Sequence, residues 1–139
     1  MEGIQIKVGD TASVTKAFSQ EEVTAYAKSS LDNNPVHYDL DYASKTFFKK
    51  PIVHGLFAAG LFGGLFGSKL PGRGTIHLGQ ELKFTKPVFV GEAVTAKIEI
   101  ISIRDDKPII TFNCVIFKED SSIAIEGKAV VMYKGEIFT

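Results

Sequence analysis

Residues 52–70, IVHGLFAAGLFGGLFGSKL, carry apolar side chains and glycines with no charge before Lys69. A half-exposed helix would show polar residues on a 3.6-residue period, and this stretch shows none, so it predicts a helix buried on all sides. Gly60, Gly63, Gly64 and Gly67 recur at i, i+3, i+4 and i+7 and form one bare stripe. A glycine inside a helix costs roughly 1 kcal/mol relative to alanine, so such a stripe predicts close backbone approach or room for a ligand. Upstream, residues 11–18 mix β-branched and apolar side chains over a strand's length and run into Ser19. Ser19 and Glu22 have the spacing of a capping box, which predicts a helix from there to about Ser30. Its apolar residues Val23, Tyr26 and Ala27 lie on one side, facing a sheet. Downstream, Pro71, Gly72 and Gly74 end the apolar helix with turn chemistry. Residues 75–85, 93–104, 107–118 and 122–133 are rich in Val, Ile, Phe and Thr and read as strands. The short links between them predict antiparallel neighbours. The expected fold is α+β: an antiparallel sheet of about five strands wrapped around one buried Gly-rich helix, in a single domain over residues 1–139.

Length and charge narrow the choice of function. The chain has 139 residues, enough for one core and too few for two ordinary domains. Sixteen basic residues balance sixteen acidic ones, so no long-range field favours nucleic acid or an anionic membrane. The apolar run is slightly short for a bilayer and contains His54 and several glycines, which argues against a membrane span. Cys114 is the single cysteine and sits in a strand-like run, so no disulfide framework is expected. With no signal core in residues 1–10, a cytoplasmic protein is expected.

Candidate chemistry begins where the first helix ends, in LDNNPVHYDLDYA. Pro35 has no amide hydrogen and pushes Asn34 out of helical geometry, so the helix cannot continue through it. On a helix, Asp32 and His37 would point about 140° apart, whereas a proline-turned loop can bring carboxylate and imidazole together. Sharing one water, they would form a general acid/base pair. Asp39 and Asp41 lie beside His37 but no second His or Cys is at ligand spacing, and Asp105, Asp106 and Asp120 sit where acidic residues serve turns, so no metal is expected. His54 and His77 are expected to be structural. No glycine motif opens a helix after a strand, so no nucleotide cofactor is indicated.

Asp32, Asn34, Pro35 and His37, followed six residues on by Ala43, match a family signature. With residues 51–55 (PIVHG), Leu78-Gly79-Gln80, Phe84, Pro87-Val88 and Gly91-Glu92, the segment resembles the MaoC-like (R)-specific enoyl-CoA hydratases over nearly the whole chain. Two positions depart from the pattern: Leu31 stands where a small residue, often Gly, is common, and Gly63 where a Ser is frequent.

The resemblance implies a hot-dog fold and reversible syn addition of water to a trans-2-enoyl-CoA, giving the (R)-3-hydroxyacyl-CoA without metal or redox cofactor. Asp32 is expected to deprotonate the water, His37 to orient it and relay the proton, and Asn34 to fix the loop. Gly55, at the N-terminal end of the apolar helix, is the candidate amide donor to the thioester carbonyl. Gly63 and Phe66 are expected to touch the acyl tail, with Phe66 limiting it to short chains. A homodimer is expected by analogy. The rival readings are a 3-hydroxyacyl-carrier-protein dehydratase, a non-catalytic acyl-thioester binder, and a hot-dog thioesterase, which would usually carry a carboxylate on the central helix, where this chain has none.

Overall fold

The computed structural model describes residues 5–135. The reading of the N-terminus as free of a signal segment therefore lies partly outside the described residues. In chain order the elements are β1 (Thr11–Ala17), α1 (Gln20–Ser30), a 3-10 turn (Pro35–His37), α2 (Leu40–Ser44), α3 (Gly55–Ser68), β2 (Ile76–Phe84), β3 (Ala93–Ile103), β4 (Ile109–Phe117) and β5 (Ile123–Met132). The five strands form one antiparallel sheet in the order β1-β3-β4-β5-β2.

Alternation along the strands creates the core. In β3, Val94, Ala96, Ile98 and Ile100 point inward, and in β4 Ile110, Phe112, Cys114 and Ile116 do the same. The sheet curls around α3, which presents Ala58, Phe62, Leu65 and Phe66 to it at i, i+4, i+7 and i+8. At the start of α1 the capping box is complete: Ser19 Oγ accepts from the Glu22 amide, and the Glu22 carboxylate accepts from the Ser19 amide at 3.0 Å.

Two expectations need correction. The helix α3 is not buried all round, because Leu56 is 66% exposed and Gly60, Gly64 and Gly67 are open on the same side. Among the described residues nothing lies within 4 Å of where a Cβ would sit on Gly60, Gly63, Gly64 or Gly67, so no described backbone grips the stripe. One sheet can cover only one side of a helix, and uniform apolarity does not say which side the sheet takes. Second, β2 does not neighbour β3 despite the short link between them. The link is a crossing segment rather than a hairpin: Val53 N–H donates to Val88 O at 2.7 Å, Val90 N–H to Pro51 O at 3.1 Å and Gly91 N–H to Phe18 O at 2.8 Å. It carries the chain past the start of α3 to the other end of the sheet, leaving β2 as an edge strand with Ile76, Leu78 and Phe84 exposed.

Candidate active site

The site is built where α1 stops. Its C-cap, Leu31, has φ 66° and ψ 12°, a left-handed residue that turns the chain sharply and places Asp32 clear of the helix. Asn34 then caps the 3-10 turn, its Oδ1 accepting from the Val36 amide at 3.2 Å, with Pro35 in the first-turn position where a missing N–H costs nothing. The Asn34 amide points at Asp32 Oδ1 at 3.4 Å, and the Asp32 amide donates to Ser30 Oγ at 3.1 Å. Asn34 thus shapes the loop that carries both candidate residues.

His37 is tied down on both sides. Its backbone carbonyl accepts from Gln20 Nε2 at 2.9 Å, and its ring Nδ1 lies 2.8 Å from the Ile52 carbonyl. A carbonyl oxygen only accepts, so Nδ1 carries the hydrogen and Nε2 of the neutral ring keeps a lone pair. His54, the N-cap of α3, stacks on His37 with ring centroids 3.7 Å apart and planes 22° from parallel. Its Nε2 lies 3.1 Å from the Asp32 carbonyl. One side-chain polar atom from each of Asp32, His37 and His54 falls within 4.8 Å of the other two. Such a cluster could also be asked to hold a metal ion. His37 Nδ1 and His54 Nε2 each face a backbone carbonyl, which leaves one nitrogen per ring, and that of His54 is buried.

These groups open into a cavity of about 550 Å³ lined by Tyr26, Phe48, Val53, Gly55, Phe84 and Val88 among others. Gly55 is the first residue of α3, so its N–H has no acceptor within the helix, and no hydrogen bond among the described residues takes it up. A Cβ on Gly55 would stand 2.5 Å from Cδ1 and Cε1 of Phe84, whose ring lies across it. A slightly larger concavity of about 640 Å³ lies elsewhere, over the outer face of the sheet among Lys97, Glu99, Glu126 and Lys128. It contains none of the candidate residues.

Residues 4–114 match the family model described as the MaoC like domain. This chain belongs to the MaoC-like family. Over 131 residues it is 47% identical to the (R)-specific enoyl-CoA hydratase of Aeromonas caviae, covering 94% of this chain and 98% of that protein. It is 39% identical over 129 residues to the (R)-specific enoyl-CoA hydratase of Rhodospirillum rubrum, covering 91% and 88% respectively. The solved (R)-hydratase from A. caviae, described as involved in PHA biosynthesis, superimposes with a TM-score of 0.91 at 47% identity over 94% of this chain and 98% of that one. The hot-dog fold expected from the MaoC-like resemblance is therefore the observed one.

Within this MaoC-like site the structure brings together Asp32, His37 and Gly55, with Asn34 shaping their loop. It does not bring Gly63 or Phe66 to the cavity. Phe66 is 1% exposed and packs on Phe112 at 4.7 Å and His77 at 5.1 Å between ring centroids. Eight and eleven residues past Gly55, both lie about 12 Å or more along the helix. His54, expected to be structural, is a site residue. So are Tyr26, Phe48 and the Phe84 ring. The sequence signals for His54 are that it lies in the PIVHG segment of the family resemblance and directly precedes the glycine opening the apolar helix. Four of the other acidic residues serve local roles: Asp39 caps α2, Asp120 accepts from the Ser122 amide, Asp41 pairs with Lys45 and Asp106 with Arg104.

Proposed function

We propose that this chain is an (R)-specific enoyl-CoA hydratase, a hydro-lyase that adds water reversibly across the double bond of trans-2-enoyl-CoA. The observation that carries the reading is the meeting of the Asp32 carboxylate, the free Nε2 of His37 and the free N–H of Gly55 in one cavity. Water held between Asp32 and His37 loses a proton to the pair as its oxygen bonds to C3 of the substrate. The same pair returns a proton to C2 on the same face, so atoms balance and the addition is syn. Asp32 removes the proton and His37 orients the water and relays it, as a coupled unit. Charge that gathers on the thioester oxygen meets the Gly55 N–H at the positive end of α3.

The same reading extends to assembly and chain length. A second copy would cover the open side of α3, Leu56 with Gly60 and Gly64, together with the exposed edge of β2. Gly63 and Phe66 lie outside the cavity, so they meet the acyl tail only where it runs on beyond the cavity along α3, past the open space at Gly63 to Phe66; such an end favours short chains. Among the described residues no helix is long and apolar enough to cross a membrane. The Cys114 thiol, buried and pushed up to about 11 by that burial, suits a reducing cytoplasm in which acyl-CoA is processed.

The test is incubation with crotonyl-CoA, following enoyl absorbance, free thiol and the configuration of the product. Loss of absorbance with (R)-3-hydroxybutyryl-CoA as product supports the reading. Thiol release would make the protein a thioesterase, and neither change a binder. Parallel assays with the crotonyl ester of an acyl carrier protein separate a hydratase from a carrier-protein dehydratase by kcat/KM.

A further inference from the structure

His54 touches each part of the site. Its ring lies on His37, its Nε2 faces the Asp32 carbonyl, and its own carbonyl accepts the amides of Phe57 and Ala58, both at 3.0 Å, which opens the helix one residue before Gly55. The Tyr26 ring, itself stacked on Phe57, lies 4.7 Å from that of His54. Because the Asp32 carbonyl only accepts, the His54 hydrogen sits on Nε2 and Nδ1 bears a lone pair. That Nδ1 is buried with no partner among the described residues. A buried polar atom left unsatisfied is unfavourable, and a phenyl ring would fill the same space without it. The imidazole is therefore explained by its other nitrogen.

We propose that His54 is a positioning residue, which holds Asp32, His37 and Gly55 in one register by donating Nε2–H to the Asp32 carbonyl, backing the His37 ring and starting α3. Asp32 itself is exposed, and among the described residues its side chain has only a long contact with the Asn34 amide. Among the described residues the hydrogen bond from His54 is the one tie from the core to its backbone carbonyl, so it fixes where the carboxylate stands. The titratable groups that face His54 among the described residues are Asp32 from the loop, His37 from the 3-10 turn and Tyr26 from α1. Burial holds His54 below the ordinary histidine range and the charge of His37 adds to this, while the hydrogen bond to Asp32 and its charge oppose. A neutral ring keeps a second positive charge away from His37 while that residue carries the proton of the reaction.

The inference rests on Asp32 and His37 being the reacting pair. It is tested with three variants assayed on crotonyl-CoA for kcat and KM separately, beside Asp32→Asn. His54→Phe keeps a ring and loses the donor. His54→Gln places an amide N–H near the position of Nε2. His54→Asn is equally polar but too short to reach. The expected result is a fall in kcat of about 10²-fold for Phe and for Asn, with KM within about twofold, and recovery of most of it by Gln, since small misplacements of a reacting group carry effects of that size. A role in folding alone would lower the yield of active protein and not separate Gln from Asn. Wild-type kcat in His54→Phe, or equal loss in Gln and Asn, overturns the proposal. Should the Phe variant fail to fold, the Gln and Asn pair decides. An active Asp32→Asn would instead overturn the reading of the dyad.

Discussion

Leu31 adopts the left-handed conformation one residue before the reacting carboxylate, with its side chain 80% exposed. For a residue with a Cβ this conformation costs roughly 1–2 kcal/mol, which is why glycine is at home there. Leu31→Gly should stabilise the protein by about 1 kcal/mol, measured as a higher midpoint in urea with an unchanged slope. Gly55 can be tested cleanly because it is the first residue of α3, where proline fits the helix, and because His54 has ψ 129°, the geometry a residue before proline prefers. Gly55→Pro removes the N–H and should lower kcat by about 10² to 10³-fold. Gly55→Ala keeps the N–H, brings the same Cβ against the Phe84 ring and should lose much less; equal losses would assign the effect to crowding. Since burial lowers the pKa of His54 relative to the unfolded chain, the unfolded state takes up its proton first as pH falls below about 6.5. The stability tied to His54 is therefore fully present above that pH and lost as pH drops toward the folded-state value, and His54→Gln should flatten this dependence in urea melts at pH 7 and pH 5. That Asp32 and His37 share one loop was legible because Pro35 ends the helix, and the family resemblance, not the turn alone, singled out Asp32, Asn34 and His37. The role of His54 was not legible, because its partner carbonyl lies 22 residues away and only the fold brings them together.

At the scale of elements, the strands and α1 were legible to within one or two residues, since alternation, the capping box and turn residues are local signals. α3 proved shorter than its apolar run, Gly55–Ser68 rather than 52–70, because residues 51–53 leave the helix to hydrogen-bond with the 3-10 turn and the crossing segment. Strand order was not legible: pairing β2 with β5 instead of β3 is set by that crossing segment, which no periodicity reveals. Phe66 is so fully packed that Phe66→Ala should cost about 3–5 kcal/mol, so its role in chain length is better tested with a smaller change. Phe66→Leu should raise kcat/KM for six- and eight-carbon enoyl-CoA substrates relative to crotonyl-CoA. The same length profile as wild type would place the end of the acyl site elsewhere.

For the whole molecule, the open side of α3 and the apolar edge of β2 are unfavourable to leave in water, and a second copy offers the same two surfaces in return. Sedimentation should give twice the chain mass. Gly64→Leu, at a position with open space around it, should leave the chain folded but shift it toward monomer; a folded Gly64→Leu dimer would move the interface off the glycine face. The central claim is that water is added by Asp32 with His37, and the most direct measurement is the turnover of crotonyl-CoA by Asp32→Asn, a change of one atom at an exposed position that leaves the fold intact. The account predicts a fall of roughly 10² to 10⁴-fold in kcat with an unchanged circular dichroism spectrum. Turnover near that of the wild-type protein in the folded variant would contradict it.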